Sequence, residues 1–167
     1  MSIDPSSDVA ARLEAELRQR ILVMDGAMGS LIQGFKLGEA DFRGEQFKDH
    51  PRDLAGCNDL LSITRPDVIE SIYRDYFAAG ADIIETNTFN STSISMADYG
   101  LESAVYEMNV AAARLGATVA AEITEGDPSK PRFVAGSMGP TNRTASVSAD
   151  VGEAACFRRR RRAETSS

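Results

Sequence analysis

Short apolar runs alternate with amphipathic stretches along this chain, and each run breaks into a loop of glycines, amides or hydroxyls. This alternation constrains the fold more than any other feature, because strand–helix–strand order implies crossover connections and a parallel sheet. Four runs predict strands: Ile21–Met24, Asn58–Ile63, Ala81–Glu85 and Arg132–Gly136. Thr64–Asp67 is a helix start, with a hydroxyl cap, an early proline and an acid in the first turn. Val68, Ile69, Ile72, Tyr73, Tyr76 and Phe77 then share one helical face, and Gly80 is the stop. A second long helix runs from about Leu101 to Ile123, although Gly116 inside it costs about 1 kcal/mol relative to alanine. Ahead of the first strand, residues 1–8 read as a disordered start. Val9, Leu13 and Leu17 then predict an amphipathic helix over Asp8–Gln19. Gly29–Gly56 reads as an irregular excursion with one short helix. Two architectures fit this order: an open doubly wound sheet, or part of a (β/α)8 barrel.

Composition narrows the class. At 167 residues, 43% of them hydrophobic, the chain is long enough for one domain with a real core. It has no apolar run long enough for a membrane span and no apolar stretch near its start that suits a secretory signal. Two distant cysteines, Cys57 and Cys156, make no disulfide framework and suit a reducing cytoplasm. With His50 as the one histidine, a zinc site built from this chain alone is hard to assemble. Net charge is −7, yet residues 151–167 carry Arg158–Arg162 against only Glu153 and Glu164, so the rest is more acidic still. An acidic body repels nucleic-acid phosphates. The arginine run reads as a solvated charge block.

In parallel α/β proteins, binding groups collect at the carboxyl ends of strands. Three such ends stand out. In Asp25–Gly29, glycines let backbone amides approach a ligand while Asp25 offers a carboxylate to an ammonium; the plain alternative is a strand-to-loop turn. Glu85–Phe89 packs a carboxylate, two hydroxyls and an amide behind an apolar strand; the alternative is a loop that caps a helix near Asn90 or Ser91. Gly136–Asn142 has two glycines and a proline, or is simply a tight loop. Cys57, placed just before a strand, is expected at the opposite, stabilising face as a small buried residue. His50 reads as a loop residue, and the tyrosines and phenylalanine of the first long helix read as core.

Together, Ile21–Gly29, Glu39–Gly44, Asn58–Leu61, Ala79–Phe89, Ala97–Leu101 and Gly139–Thr144 resemble the N-terminal homocysteine-binding module of cobalamin-dependent methionine synthase, over about Arg20 to Val151. The resemblance implies an α/β fold, the N-terminal half of a (β/α)8 TIM-type barrel with about four parallel strands. It also implies a division into an N-terminal extension (1–19), a partial barrel (20–151) and an unrelated arginine-rich tail (152–167). The implied reaction is methyl transfer from methylcobalamin to the homocysteine thiol, giving methionine, with methyltetrahydrofolate as the ultimate donor and zinc on three cysteines holding the sulfur as thiolate. The implied substrate-binding residues are Asp25, Gly26, Ala27, Met28 and Gly29, with Glu85, Thr86 and Asn87 on the same face and Gly139 and Pro140 beside them. Ser30 stands where the family usually has threonine. The family's Cys-Cys pair has no counterpart in this sequence, so the chain by itself is expected to bind neither zinc nor cobalamin and to be inactive. A separately encoded second half is one partner this implies; a non-enzymatic gene fragment, or a fragment of a methyltransferase using betaine or S-methylmethionine, are the alternatives. The abrupt change after Val151 resembles a shifted reading frame.

Overall fold

The structure, a computed structural model, describes residues 5–141. The predicted tail 152–167, with Cys156 and the arginine run, lies outside the described residues, as do Asn142, Arg143 and Thr144 of the last motif.

Helix α1 (Pro5–Leu17) opens the described chain. It begins earlier than expected: Pro5–Asp8 are helical, with proline at the first position, where its missing N–H costs nothing. The segment that follows is less regular than a strand. It makes one parallel bridge, between Met24 and Ile83, flanked by hydrogen bonds from Asp82 and Ile83 N–H to the Val23 carbonyl and from Asp25 N–H to the Ile83 carbonyl. The excursion carries two short helices, α2 (Met28–Gly34) and α3 (Glu39–Arg43). Glu39 staples this excursion by accepting the Leu54 and Ala55 N–H groups while pairing with Arg43, and these contacts hold its carboxyl below the ordinary range.

The second predicted strand is not one. Asn58–Leu60 forms a tight 3₁₀ turn that runs into α4 (Leu61–Thr64). Leu54, Cys57, Leu60 and Leu61 are all buried at a spacing of three or four, a helical period that a short apolar window does not separate from a strand. Helix α5 (Pro66–Ala79) follows and ends at Gly80, which takes the left-handed conformation that closes the last turn. Strand β1 (Ile83–Glu85), the short helix α6 (Ser93–Met96), the long helix α7 (Val105–Gly126) and strand β2 (Phe133–Ala135) complete the order. β1 and β2 pair in parallel, with Ile84 opposite Val134.

Three parallel segments therefore lie side by side, in the order Met24, β1, β2, where about four strands were expected. α5 and α7 pack on one another, α5 against β1 and α7 against β2. The core between them includes Ile69, Ile72, Tyr73, Ile84, Met108 and Val119, all essentially buried. Gly116 explains itself in this layer. A Cβ built there would lie 3.1 Å from Val134 Cγ1, so glycine lets α7 approach the sheet closely. Among the described residues the outer edges of the Met24 segment and of β2 have no backbone partner, and Ile21 is 88% exposed.

Candidate functional site

Parallel strands bring their carboxyl ends to one side of the sheet, and there the loops after Met24, β1 and β2 meet around a cavity of about 310 Å³. Asp25, Gly26, Ala27, Met28, Gly29, Glu85, Thr86 and Asn87 all line it. Gly139 and Pro140 do not. Gly139 packs outside, its N–H donating to the Phe89 carbonyl at 2.9 Å; a Cβ there would stand 2.5 Å from that oxygen.

Asp25 dominates the electrostatics. Both carboxylate oxygens accept the Glu85 N–H at 3.0 Å, and no cation pairs with Asp25 among the described residues. Burial pushes its carboxyl up to about 6; the nearby Glu85 charge adds to the rise and the Glu85 N–H opposes it. Beyond Asp25 the chain turns through Ala27, whose φ of 29° is left-handed and unusual for a residue with a Cβ. The N–H groups of Gly26, Ala27, Met28 and Gly29 meet no acceptor among the described residues. A carboxylate with no counter-ion thus stands beside a short run of unsatisfied amide donors.

The opposite wall is held more tightly. Thr86 Oγ1 accepts the Ser137 N–H at 3.0 Å and donates to Thr88 Oγ1, whose own proton goes to the Ser137 carbonyl at 2.8 Å. The hydroxyl of Thr86 is therefore committed to tying the β1 loop to the β2 loop. Asn87 donates its side-chain amide to the Asn58 carbonyl (2.7 Å) and to Ser62 Oγ (3.3 Å), while its backbone N–H goes to the Tyr73 hydroxyl at 3.0 Å. These bonds leave Asn87 Oδ1 without a donor among the described residues. Exposed Glu85 accepts the Ser137 hydroxyl at 2.9 Å.

Several lining residues were not anticipated from sequence. Asn58 and Asp59 reach the cavity because their segment is a helical turn and not a strand. Asp59 is almost fully buried and accepts the Asn90 N–H (2.7 Å) and the Ser91 hydroxyl (3.1 Å); burial raises its carboxyl above the ordinary range. Ser137 also lines the cavity; it lies in the Gly136–Asn142 strand end that stood out in the sequence, although it was not among the named binding residues. Asp59 and Asn90 are shared with a second cavity of about 380 Å³. Cys57 lines that second cavity, so it does not lie at the opposite face as its supposed place before a strand implied. It is buried as expected, with Sγ 3.7 Å from Met96 Sδ and its thiol pushed up to about 11 by burial.

Among the described residues, no group of three or more histidines, cysteines, aspartates or glutamates converges to hold a metal ion, and no helix is long and apolar enough to cross a membrane. The model of the homocysteine S-methyltransferase family matches residues 22–163. Two solved structures of the homocysteine methyltransferase MmuM from Escherichia coli share the fold. The oxidised form aligns with a TM-score of 0.60 at 24% identity over 77% of this chain, and the metallated form with 0.59 at 23% over the same share. This chain spans 40% and 41% of those chains, about two fifths of their length.

Proposed function

This chain belongs to the homocysteine S-methyltransferase family, and from that premise we propose that its pocket holds the amino-acid end of homocysteine as the acceptor side of a methyl transfer. One observation carries the reading. Among the described residues the Asp25 carboxylate lacks a counter-ion and the amides of Gly26–Gly29 lack acceptors, on one wall of the same cavity. An α-amino acid presents the complementary pair, an ammonium for Asp25 and a carboxylate for the amides. Asn87 Oδ1 supplies a second acceptor to the ammonium from the facing wall.

We further infer that the methyl donor is methylcobalamin, as in cobalamin-dependent methionine synthase. This finer assignment is supported by the motifs Glu39–Gly44 and Gly139–Thr144, which resemble that enzyme more than relatives using betaine or S-methylmethionine. The thiol of homocysteine must become a thiolate to attack, and zinc serves that purpose in such enzymes. The described residues do not fit zinc: no ligand set converges, and the one described cysteine is buried against Met96 with its thiol strongly protonated. The expected behaviour of this chain alone is therefore binding without turnover.

Titration calorimetry with reduced L-homocysteine tests the binding claim. Wild type is expected to bind and Asp25→Asn to lose at least tenfold in affinity; a wild-type chain that takes up no homocysteine refutes the reading. Methionine formed from methylcobalamin and homocysteine by this chain, with zinc added, refutes the expected inactivity.

We propose as one further element that the outer sheet edges, which have no backbone partner among the described residues, are covered by strands from outside those residues, such as a second polypeptide. Co-expression with such a chain should raise soluble yield and shift the elution volume on size exclusion. A monodisperse, stable monomer without it counts against a required partner.

A further inference from the structure

The two walls of the pocket belong to different strands, yet both hang from one helix. Tyr73 and Tyr76 of α5 are three residues apart and so project from the same face. The Tyr73 hydroxyl accepts the N–H of Asn87 at 3.0 Å, and the Tyr76 hydroxyl donates to the carbonyl of Gly26 at 2.5 Å. Tyr73 is fully buried and Tyr76 half-buried. From the helical face these side chains look like core, and their rings do pack there. Their hydroxyls, however, end on the backbone of the two loops that supply most of the pocket lining.

We propose that Tyr73 and Tyr76 are paired positioning residues that fix the distance between the Gly26–Gly29 amides and Asn87, and thereby the fit of the pocket to a short α-amino acid. The inference deepens the homocysteine reading and rests on it. Neither hydroxyl touches the ligand; each acts through the loop it holds. Tyr76 sets the Gly26 carbonyl, at the entry to the left-handed turn at Ala27, so its bond orients the next amides. Tyr73 anchors Asn87, whose side-chain amide is already tied to Asn58 and Ser62, and so fixes where Oδ1 stands.

The test uses the full chain. Reduced L-homocysteine is titrated calorimetrically into wild type, Tyr76→Phe, Tyr73→Phe and, as a control, Tyr106→Phe, whose ring is 81% exposed away from the pocket. Thermal midpoints are recorded for each. Tyr76→Phe is expected to lose about tenfold in affinity with its thermal midpoint nearly unchanged, because the Gly26 carbonyl finds water when the hydroxyl goes. Tyr106→Phe is expected to match wild type in both. Tyr73→Phe buries an unpaired N–H and is expected to lose stability as well, so its decisive readout is the Asn87 amide proton, which should move upfield with the loss of its acceptor. The inference is overturned if both phenylalanine variants bind homocysteine as wild type does, and the homocysteine reading survives that result. If wild type itself binds no homocysteine, both fall.

Discussion

Asp25 and Asp82 stand at opposite ends of the same three parallel segments, Asp25 directly after Met24 and Asp82 directly before β1. Asp82 is the less exposed to solvent, yet its carboxyl is held below the ordinary range. Burial alone would raise it, but the Val23 N–H at 3.0 Å and the Arg20 and Lys130 charges outweigh that. Arg20 lies at 2.9 Å and Arg132 at 3.4 Å. Among the described residues Asp25 is met by backbone N–H groups, chiefly that of Glu85, and by no cation, and burial lifts its carboxyl to about 6. The contrast separates two uses of a buried carboxylate. At the amino ends of the strands it is neutralised and clamps the sheet. At the carboxyl ends it stays uncompensated, a state that costs stability and suits a ligand carrying the missing positive charge.

Removing the clamp should have the largest effect. Asp82→Ala leaves the nearly buried Arg132 without its counter-charge and Arg20 with Glu16 alone, and breaking a buried pair costs about 3–5 kcal/mol. The urea midpoint should fall accordingly; a loss under about 1 kcal/mol would break the comparison at its stronger side. Next comes Gly139→Ala, which forces a Cβ against the Phe89 carbonyl and ring and should cost about 1–3 kcal/mol by overpacking, with weaker homocysteine binding.

Asp25→Asn should do the reverse of Asp82→Ala and raise the thermal midpoint at pH 7.5 by a few degrees while binding is lost. The sign follows from linkage. The folded carboxyl titrates near 6, above its ordinary 3.8, so its contribution to stability is fully present below 3.8 and is lost as pH rises through about 6. The advantage of Asp25→Asn should therefore vanish below about pH 4 and be complete above about pH 7. Homocysteine affinity in wild type should climb over the same interval. Flat affinity between pH 5 and 7 would remove Asp25 from the site. Asp82 has the opposite dependence: its stabilisation is present above 3.8 and is lost as pH falls through its depressed value. The smallest effect is expected of Gly116→Ala. A gain of about 1 kcal/mol in helix propensity meets a tight contact with Val134, so thermal melts should differ little from wild type.

The long helices were legible because their periodicity runs over many residues; Pro66 and Gly80 bracket α5, whereas α7, without such brackets, starts at Val105 and not at Leu101. β1 and β2 were legible because branched residues precede a sudden polar break. Asn58–Ile63 was not, since six residues with adjacent leucines carry no decisive period, and burial by α5 and α7 settled the matter as a helix. That misreading also hid Asn58 and Asp59 from the site. The Asp25 and Glu85 loops could be placed on one cavity from strand polarity alone. Gly139 and Pro140 do not line the cavity, because proximity to a strand end does not fix which way a loop turns; here the Gly139 N–H donates to the carbonyl of Phe89, which does line it. The tyrosine hydroxyls were invisible because a ring on an apolar face looks the same whether or not its oxygen reaches a loop.

The clamp at Asp82 also has a timetable. Asp82 meets the Val23 backbone 59 residues behind it and Arg132 50 residues ahead. At roughly 5–20 residues per second of synthesis, roughly 3 to 10 s separate the emergence of Asp82 from that of Arg132. Throughout that interval Asp82 has Arg20 for company, and β1 has a neighbour on one side only. If the sheet forms during synthesis, slow translation through α7 lengthens the time for which the inner edge of β1 faces the other proteins of the cell.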